Sequence, residues 1–183
     1  GLIETVEGLS NVDEIAQSGE KLEALVFGMG DYAASQRMRI NTIGDVSSEA
    51  GDIWQYPRYR LIVACHVNGI NPIDGPYADV KDITGLKLDS KKTSLIGMMG
   101  KWAIHPDQIT PITEAFTLGK DIISTAKKQK TAYEKGLSEG LGSVSVDGVM
   151  VDAANAKTID ELLALNELHE RADSFSLKKP EDQ

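Results

Sequence analysis

The sequence has one cysteine, Cys65, in 183 residues, so no disulfide can form within the chain. Cys65 sits inside an apolar helical pattern and is expected to be a small buried hydrophobe in a reducing compartment. Long hydrophobic runs are missing as well. The longest, such as residues 61–65, fall far short of the ~20 residues a membrane span needs. No basic region followed by an apolar stretch and a small-residue cleavage site is visible, so nothing argues for secretion and the cytoplasm is the expected compartment. Basic charge is in deficit: the formal net charge is −9. That argues against general binding to nucleic acid or to an anionic membrane, both of which want a basic face. An anionic substrate stays open, because a metal ion or a helix N-terminus can invert the field at one site. The local groups Lys87, Lys91 and Lys92, and Lys127, Lys128 and Lys130, read as solvated faces.

Several motifs are absent too. There is no H-E-x-x-H, C-x-x-C, G-x-S-x-G or P-loop, which removes zinc proteases, serine hydrolases and nucleotide triphosphatases of those kinds. Gly28, Gly30 and the residues after them do not give the dinucleotide pattern G-x-G-x-x-G. No internal repeat or low-complexity tract occurs. Of the histidines, His66 lies within a helical pattern and reads as structural. His169 reads as a partner of a helix dipole. His105, close to Trp102, reads first as a hydrogen-bonded loop residue and second as a catalytic one.

What is present is an ordinary globular composition, 41% hydrophobic and 26% charged, arranged as short apolar segments alternating with helical ones. That alternation signals βα units and a parallel sheet. Leu2 and Ile3 lead into Glu4, and Ser10 and Asn11 offer an N-cap for a helix through Val12, Ile15 and Ala16. Residues 24–27 form a short buried strand broken by Gly28-Met29-Gly30-Asp31. Residues 37–52 read as a polar excursion over the strand ends. Pro57 begins a helix carrying Leu61, Ile62, Ala64, Cys65 and Val67, and residues 70–76 give another strand and tight loop. Residues 81–95 read as helical, residues 98–106 as a fourth strand and loop, and residues 111–135 as one long helical pattern. Four such units make half of an eight-stranded α/β barrel, which normally takes about 250 residues, so the other half is expected to precede Gly1. The rival is an open doubly wound sheet. The expected organisation is residues 1–135 as four βα units, then residues 136–183 as a glycine-rich linker and a C-terminal helical lid, with a frayed tail from residue 176.

Glu4, Asp31 and Asp74 each follow a short apolar run, which places them at C-terminal strand ends, where α/β barrels keep their active sites. Carboxylates gathered there without a basic partner nearby in sequence are costly unless a cation joins them. Mg²⁺ would serve, because it is often held by only one or two carboxylates. The competing reading has these acids capping helices or bonding loop amides. The glycines at 28 and 30 allow close backbone approach, and amides ahead of a helix can hold a carboxylate. Trp102 could wall a pocket or fill the core.

Residues 2–5 with Gly8, residues 27–35, residues 72–77 and residues 100–109 together resemble, in order, four blocks of the malyl-CoA lyase and citrate lyase beta-subunit family. Residues 142–152, with the pattern Gly148-Val149-Met150-Val151-Asp152, resemble its C-terminal segment. The resemblance implies the C-terminal half of a (β/α)8 TIM barrel plus a helical lid, in homotrimers or homohexamers. It implies Mg²⁺, or Mn²⁺, on Glu4 and Asp31, with the Gly28-Met29-Gly30-Asp31 loop holding the carboxylate of a 2-oxo acid. Trp102, Ile104, His105 and Pro106 would line the substrate and coenzyme A side, Asp74 and Gly75 would support it, and Asp152 would be a catalytic acid carried on a lid that covers a neighbouring subunit's site. The implied reaction is reversible cleavage of a 3-hydroxyacyl-CoA such as L-malyl-CoA or β-methylmalyl-CoA to acetyl-CoA or propionyl-CoA and glyoxylate. Rivals are a citramalyl-CoA or citryl-thioester lyase, a malyl-CoA thioesterase, a CoA-free Mg²⁺-dependent aldolase, and a non-catalytic barrel subunit. The family's first barrel half, with its essential arginine, is expected to be needed for activity.

Overall fold

Four short apolar runs become the strands β1 (Leu2–Ile3), β2 (Ala24–Phe27), β3 (Asn71–Asp74) and β4 (Gly100–Lys101). They lie in the order β1-β2-β3-β4, and each pair is parallel. Parallel neighbours need long crossovers, which the intervening helices supply. The order never turns back, whereas a doubly wound sheet reverses at a switch point. The chain is therefore an α/β protein with a parallel sheet. The computed structural model describes residues 1–44 and 51–176. The expectations for residues 45–50 of the polar excursion and for the tail from 177 lie outside them. No helix among the described residues is long and apolar enough to cross a membrane.

The chain divides into two units, Gly1–Phe116 and Thr117–Gln183. In the first, a short helix α1 (Val6–Ser10) that the sequence signal does not announce precedes the helix expected after Ser10-Asn11, which is α2 (Val12–Gln17) with Asn11 at its N-cap. The start of α1 is set by Thr5, whose Oγ1 accepts the Gly8 N–H at 2.9 Å and satisfies an orphan donor of the first turn. Asn11 makes no side-chain cap bond to α2. Then come α3 (Met29–Ser35), α4 (Gln55–Val67), α5 (Ile83–Leu95) and α6 (Ile109–Phe116). The core of this unit gathers Leu25 and Phe27 of β2 with Val12, Trp54, Leu61 and Cys65. The Phe27 ring meets Tyr32 at 5.2 Å and Trp54 at 6.1 Å, both edge-on. Cys65 is buried as expected, and burial pushes its thiol up to about 11 despite an opposing backbone bond at Leu25.

The second unit holds α7 (Lys120–Ser138), the antiparallel pair β5 (Val144–Val146) and β6 (Val149–Val151), and α8 (Ala153–Ser176). The helical pattern over 111–135 is thus two helices, broken where Gly119 stands extended at φ −65° and ψ 144°. Residues 136–148 do more than link. Asp147 and Gly148 both take positive φ, 52° and 82°, and close a two-residue hairpin turn whose twist matches its strands. Ala126, Val146, Val151 and Ile159 form the small core of this unit.

Candidate metal site and its surroundings

The strand register sets the site. Ile3 lies across from Phe27, so the next residues, Glu4 and Gly28, stand side by side beyond the ends of β1 and β2. The Gly28 N–H donates to the Ile3 carbonyl at 2.8 Å. A β-carbon at position 28 would sit 2.6 Å from Glu4 Cβ and 3.3 Å from Glu4 Oε2, so the glycine is the space in which the Glu4 side chain lies. Three residues later Asp31 stands exposed in the first turn of α3, while Glu4 is half-buried. Neither carboxylate has a hydrogen-bond or ion-pair partner among the described residues.

Two hard-oxygen donors that follow the ends of adjacent strands, without a counter-charge among the described residues, fit a divalent cation that keeps most of its positions for water and substrate. Mg²⁺ is of that kind, and so is Mn²⁺. A cation caged by protein alone is not what these residues offer: no group of three or more His, Cys, Asp or Glu that could hold a metal occurs among the described residues. The N–H groups of Met29, Gly30 and Asp31 belong to the first turn of α3 and have no intrahelical acceptor. Met29 contributes only that backbone. Its side chain is fully buried and packs on Gly75, where a β-carbon would stand 2.6 Å from Met29 Sδ and 2.6 Å from the Phe27 carbonyl oxygen.

Asp74 corrects the expectation that the strand-end acids lack basic partners. It is fully buried at the end of β3 and engaged on both oxygens. Arg58 Nε donates to Oδ1 at 2.9 Å, and Arg58 Nη2 and Lys101 Nζ donate to Oδ2 at 3.0 and 2.6 Å. Asp89 of α5 closes the group, its Oδ2 accepting from Lys101 Nζ at 2.7 Å and from Arg58 Nη2 at 3.1 Å. Burial alone would push the Asp74 carboxyl up. Lys101 and then Arg58 outweigh it and hold the group below the usual carboxylate range. With its oxygens occupied in this way, Asp74 is not a free metal ligand. Arg58 Nη1 and Asp89 Oδ1 lack hydrogen-bond partners among the described residues, although Asp52 Oδ1 lies 3.8 Å from Nη1.

Arg58, Asp89 and Lys101 escaped the sequence reading, yet a signal for two of them existed. Arg58 shares a face with Leu61, Ile62 and Cys65, and Asp89 shares one with Leu86, Ser90 and Thr93, all buried. A charge inside an apolar stripe announces a buried partner.

Beyond Lys101 the backbone turns outward. The Trp102 N–H donates to the Asp74 carbonyl at 3.0 Å, and the side chains of Trp102 and Ile104 are 44% and 47% exposed. They are not core; they form an apolar ledge. The Ile104 N–H donates to Gln108 Oε1 at 2.9 Å, and buried Gln108 Nε2 donates to the Tyr77 carbonyl at 2.8 Å. Gln108 therefore staples the ledge to the loop after β3, another role the sequence reading missed. His105 caps the 3₁₀ turn Pro106–Gln108, its Nδ1 accepting the Asp107 N–H at 3.2 Å, which is the loop role read first from sequence.

Asp152 belongs to the second unit. Its Oδ1 accepts the N–H groups of Ala154 at 2.9 Å and Asn155 at 3.0 Å, capping α8. Its Oδ2 has no partner among the described residues. The cap thus holds one oxygen and leaves the other available.

The family model described as HpcH/HpaI aldolase/citrate lyase matches residues 2–106. An L-malyl-CoA/beta-methylmalyl-CoA lyase of Cereibacter sphaeroides is 31% identical over 177 residues, covering 91% of this chain and 56% of the relative. A mitochondrial citramalyl-CoA lyase of Rattus norvegicus is 30% identical over 171 residues, covering 89% of this chain and 48% of the relative. The chain thus spans about half the length of these relatives. The crystal structure of the protein CitE from Mycobacterium tuberculosis, in complex with magnesium, acetoacetate and coenzyme A, matches with a TM-score of 0.73 at 21% identity, over 91% of this chain and 60% of that one.

Proposed function

Because this chain belongs to the HpcH/HpaI aldolase/citrate lyase family, we propose that it is the metal-binding part of a Mg²⁺-dependent acyl-CoA lyase, with the four strands β1 to β4 forming half of a (β/α)8 barrel. What supports this reading is that two carboxylates without a partner among the described residues, Glu4 directly after β1 and Asp31 in the first turn of the helix after β2, follow adjacent parallel strands. Strand ends on this face are where such barrels keep their chemistry. The unreversed order of the four strands supports the barrel over a doubly wound sheet.

In this reading Glu4 and Asp31 hold the cation. When bound, Mg²⁺ supplies Lewis-acid stabilisation of the charge that develops on the 2-oxo acid. The amides of the first α3 turn orient the carboxylate of that acid. The ledge of Trp102 and Ile104 lies along the coenzyme A thioester and keeps water from it. Asp152 moves the proton. Its free Oδ2 takes a methyl proton from the acetyl thioester in the condensation direction and returns it in cleavage, while Oδ1 stays tied to the N-terminus of α8. The C-terminal part is a lid over the site of a neighbouring subunit in a homotrimer or homohexamer; because α7 (Lys120–Ser138) runs across residues 135 and 136, that part is taken from the unit boundary at Thr117.

The substrate class is a 3-hydroxyacyl-CoA, with malyl-CoA or β-methylmalyl-CoA first. The similarity to the citramalyl-CoA lyase keeps that compound as the second reading, since one methyl group in a pocket discriminates by only ~1–3 kcal/mol. The test is glyoxylate release from malyl-CoA by the full-length protein, with Mg²⁺ and after chelation. Release that needs Mg²⁺ and disappears in Asp31→Ala is the expected result. Folded, metal-loaded protein that releases none overturns malyl-CoA as the substrate and moves citramalyl-CoA ahead of it.

A further inference from the structure

The four buried charges Arg58, Asp74, Asp89 and Lys101 ligate nothing in the reading above, yet all four side chains are fully excluded from solvent. Two positive and two negative groups give a formal sum of zero. A neutral buried cluster of this kind is weak support for stability, because apolar side chains of similar volume often do as well. Its distinctive property is geometric. Asp74 is held by a two-point bond from Arg58 and a third bond from Lys101, while its carbonyl accepts the Trp102 N–H. The side chain and backbone of the last β3 residue are therefore both fixed.

The next residue transmits that placement. Gly75 is in such close contact with Met29 and the Phe27 carbonyl that no side chain fits there. Met29 opens α3, and Asp31 follows two residues later. On the far side Gly28 is packed closely against Glu4. A continuous line of contacts thus runs from Lys101 and Arg58 through Asp74, Gly75 and Met29 to the two open carboxylates. We infer that the buried quartet is the positioning device of the metal site: by fixing the end of β3 it sets where Gly75 supports Met29, and so where the first turn of α3 holds Asp31 relative to Glu4. Asp74 and Lys101 are positioning residues and touch no metal themselves. The inference rests on the proposed metal role of Glu4 and Asp31.

The experiment measures Mn²⁺ binding to the full chain by electron paramagnetic resonance, with Mg²⁺ as competitor, well below the unfolding temperature of each variant. Lys101→Met and Asp74→Asn should weaken Mn²⁺ on the order of 10-fold, as loss of a residue supporting a ligand does elsewhere. Gly75→Ala should weaken it similarly with every charge left in place. A purely structural quartet would lower the unfolding temperature and leave the dissociation constant of the folded protein unchanged, which overturns the inference. The coupling is also readable without any substitution, because linkage is reciprocal. Mn²⁺ should slow hydrogen exchange of the Trp102 amide in the wild type, and an exchange rate that ignores the metal overturns the inference even if every variant fails to fold. Should the wild type bind no Mn²⁺, the metal reading itself falls. Should it bind Mn²⁺ equally with and without the quartet, only the positioning role falls.

Discussion

Two pairs of acids occur in the first unit, and the fold treats them in opposite ways. Asp74 and Asp89 are buried and neutralised by Arg58 and Lys101. Glu4 and Asp31 are left with no cationic side chain among the described residues. In the sequence, Glu4, Asp31 and Asp74 look alike, each an acid after a short apolar run. What separates them is the far side of the structure: a helix 16 residues before Asp74 and a strand 27 residues after it deliver its counter-charges. A missing counter-charge is therefore informative only once the fold has had the chance to supply one.

The comparison breaks most visibly in stability. Lys101→Met should destabilise the full chain by about 3–5 kcal/mol, because it strands excess negative charge in a dry site. Glu4→Gln removes a charge that has no partner and should stay within about 0.5 kcal/mol of wild type without metal. Denaturant unfolding of the two variants measures both, and equal losses would erase the distinction. A smaller effect follows from acid. The Asp74 carboxyl is depressed in the folded state, so the unfolded chain binds more protons at low pH. Its contribution should be complete above the unfolded value of ~3.9 and lost as pH falls through the folded one. Asp74→Asn should flatten that loss in an acid unfolding series, and an unchanged profile would show that another group carries it. The smallest effect concerns Asp152. Replacement by Ala should cost about 1 kcal/mol through loss of the α8 cap, whereas Asn, which also caps, should cost far less. Both should abolish proton transfer. Calorimetry alongside the glyoxylate assay separates the two roles, and a fully active Asn variant would remove Asp152 from the chemistry.

The sequence made legible what depends on neighbours along the chain. Four apolar runs became four parallel strands, and helical spacing placed Cys65 in the core. Asp152 caps α8 through bonds to residues only two and three positions further along the chain. Features that depend on contacts between distant segments, or on one strong local cap, were harder to read. Thr5 starts the additional helix α1, ahead of the α2 that the Ser10-Asn11 pair marks. Gly119 splits a pattern whose apolar spacing continues across it. In the site, Glu4 and Asp31 stood out as carboxylates after strands, but Gly75 reveals its importance only through Met29, which arrives from another segment. Gln108 shows its role only through bonds to Ile104 and to Tyr77, 31 residues away.

Cys65, buried on α4 in the core it shares with β2 and with its thiol raised to about 11, is chemically silent while the core is closed. Because it is the sole cysteine in the sequence, alkylation of the unsubstituted protein reports one event, the opening of that core. Under conditions where reclosing outruns the reagent, the labelling rate becomes a thermometer of local free energy. A second cysteine introduced by substitution at an exposed position such as Met150 would react at once, giving a fast phase for the hairpin and a slow phase for the sheet in a single time course.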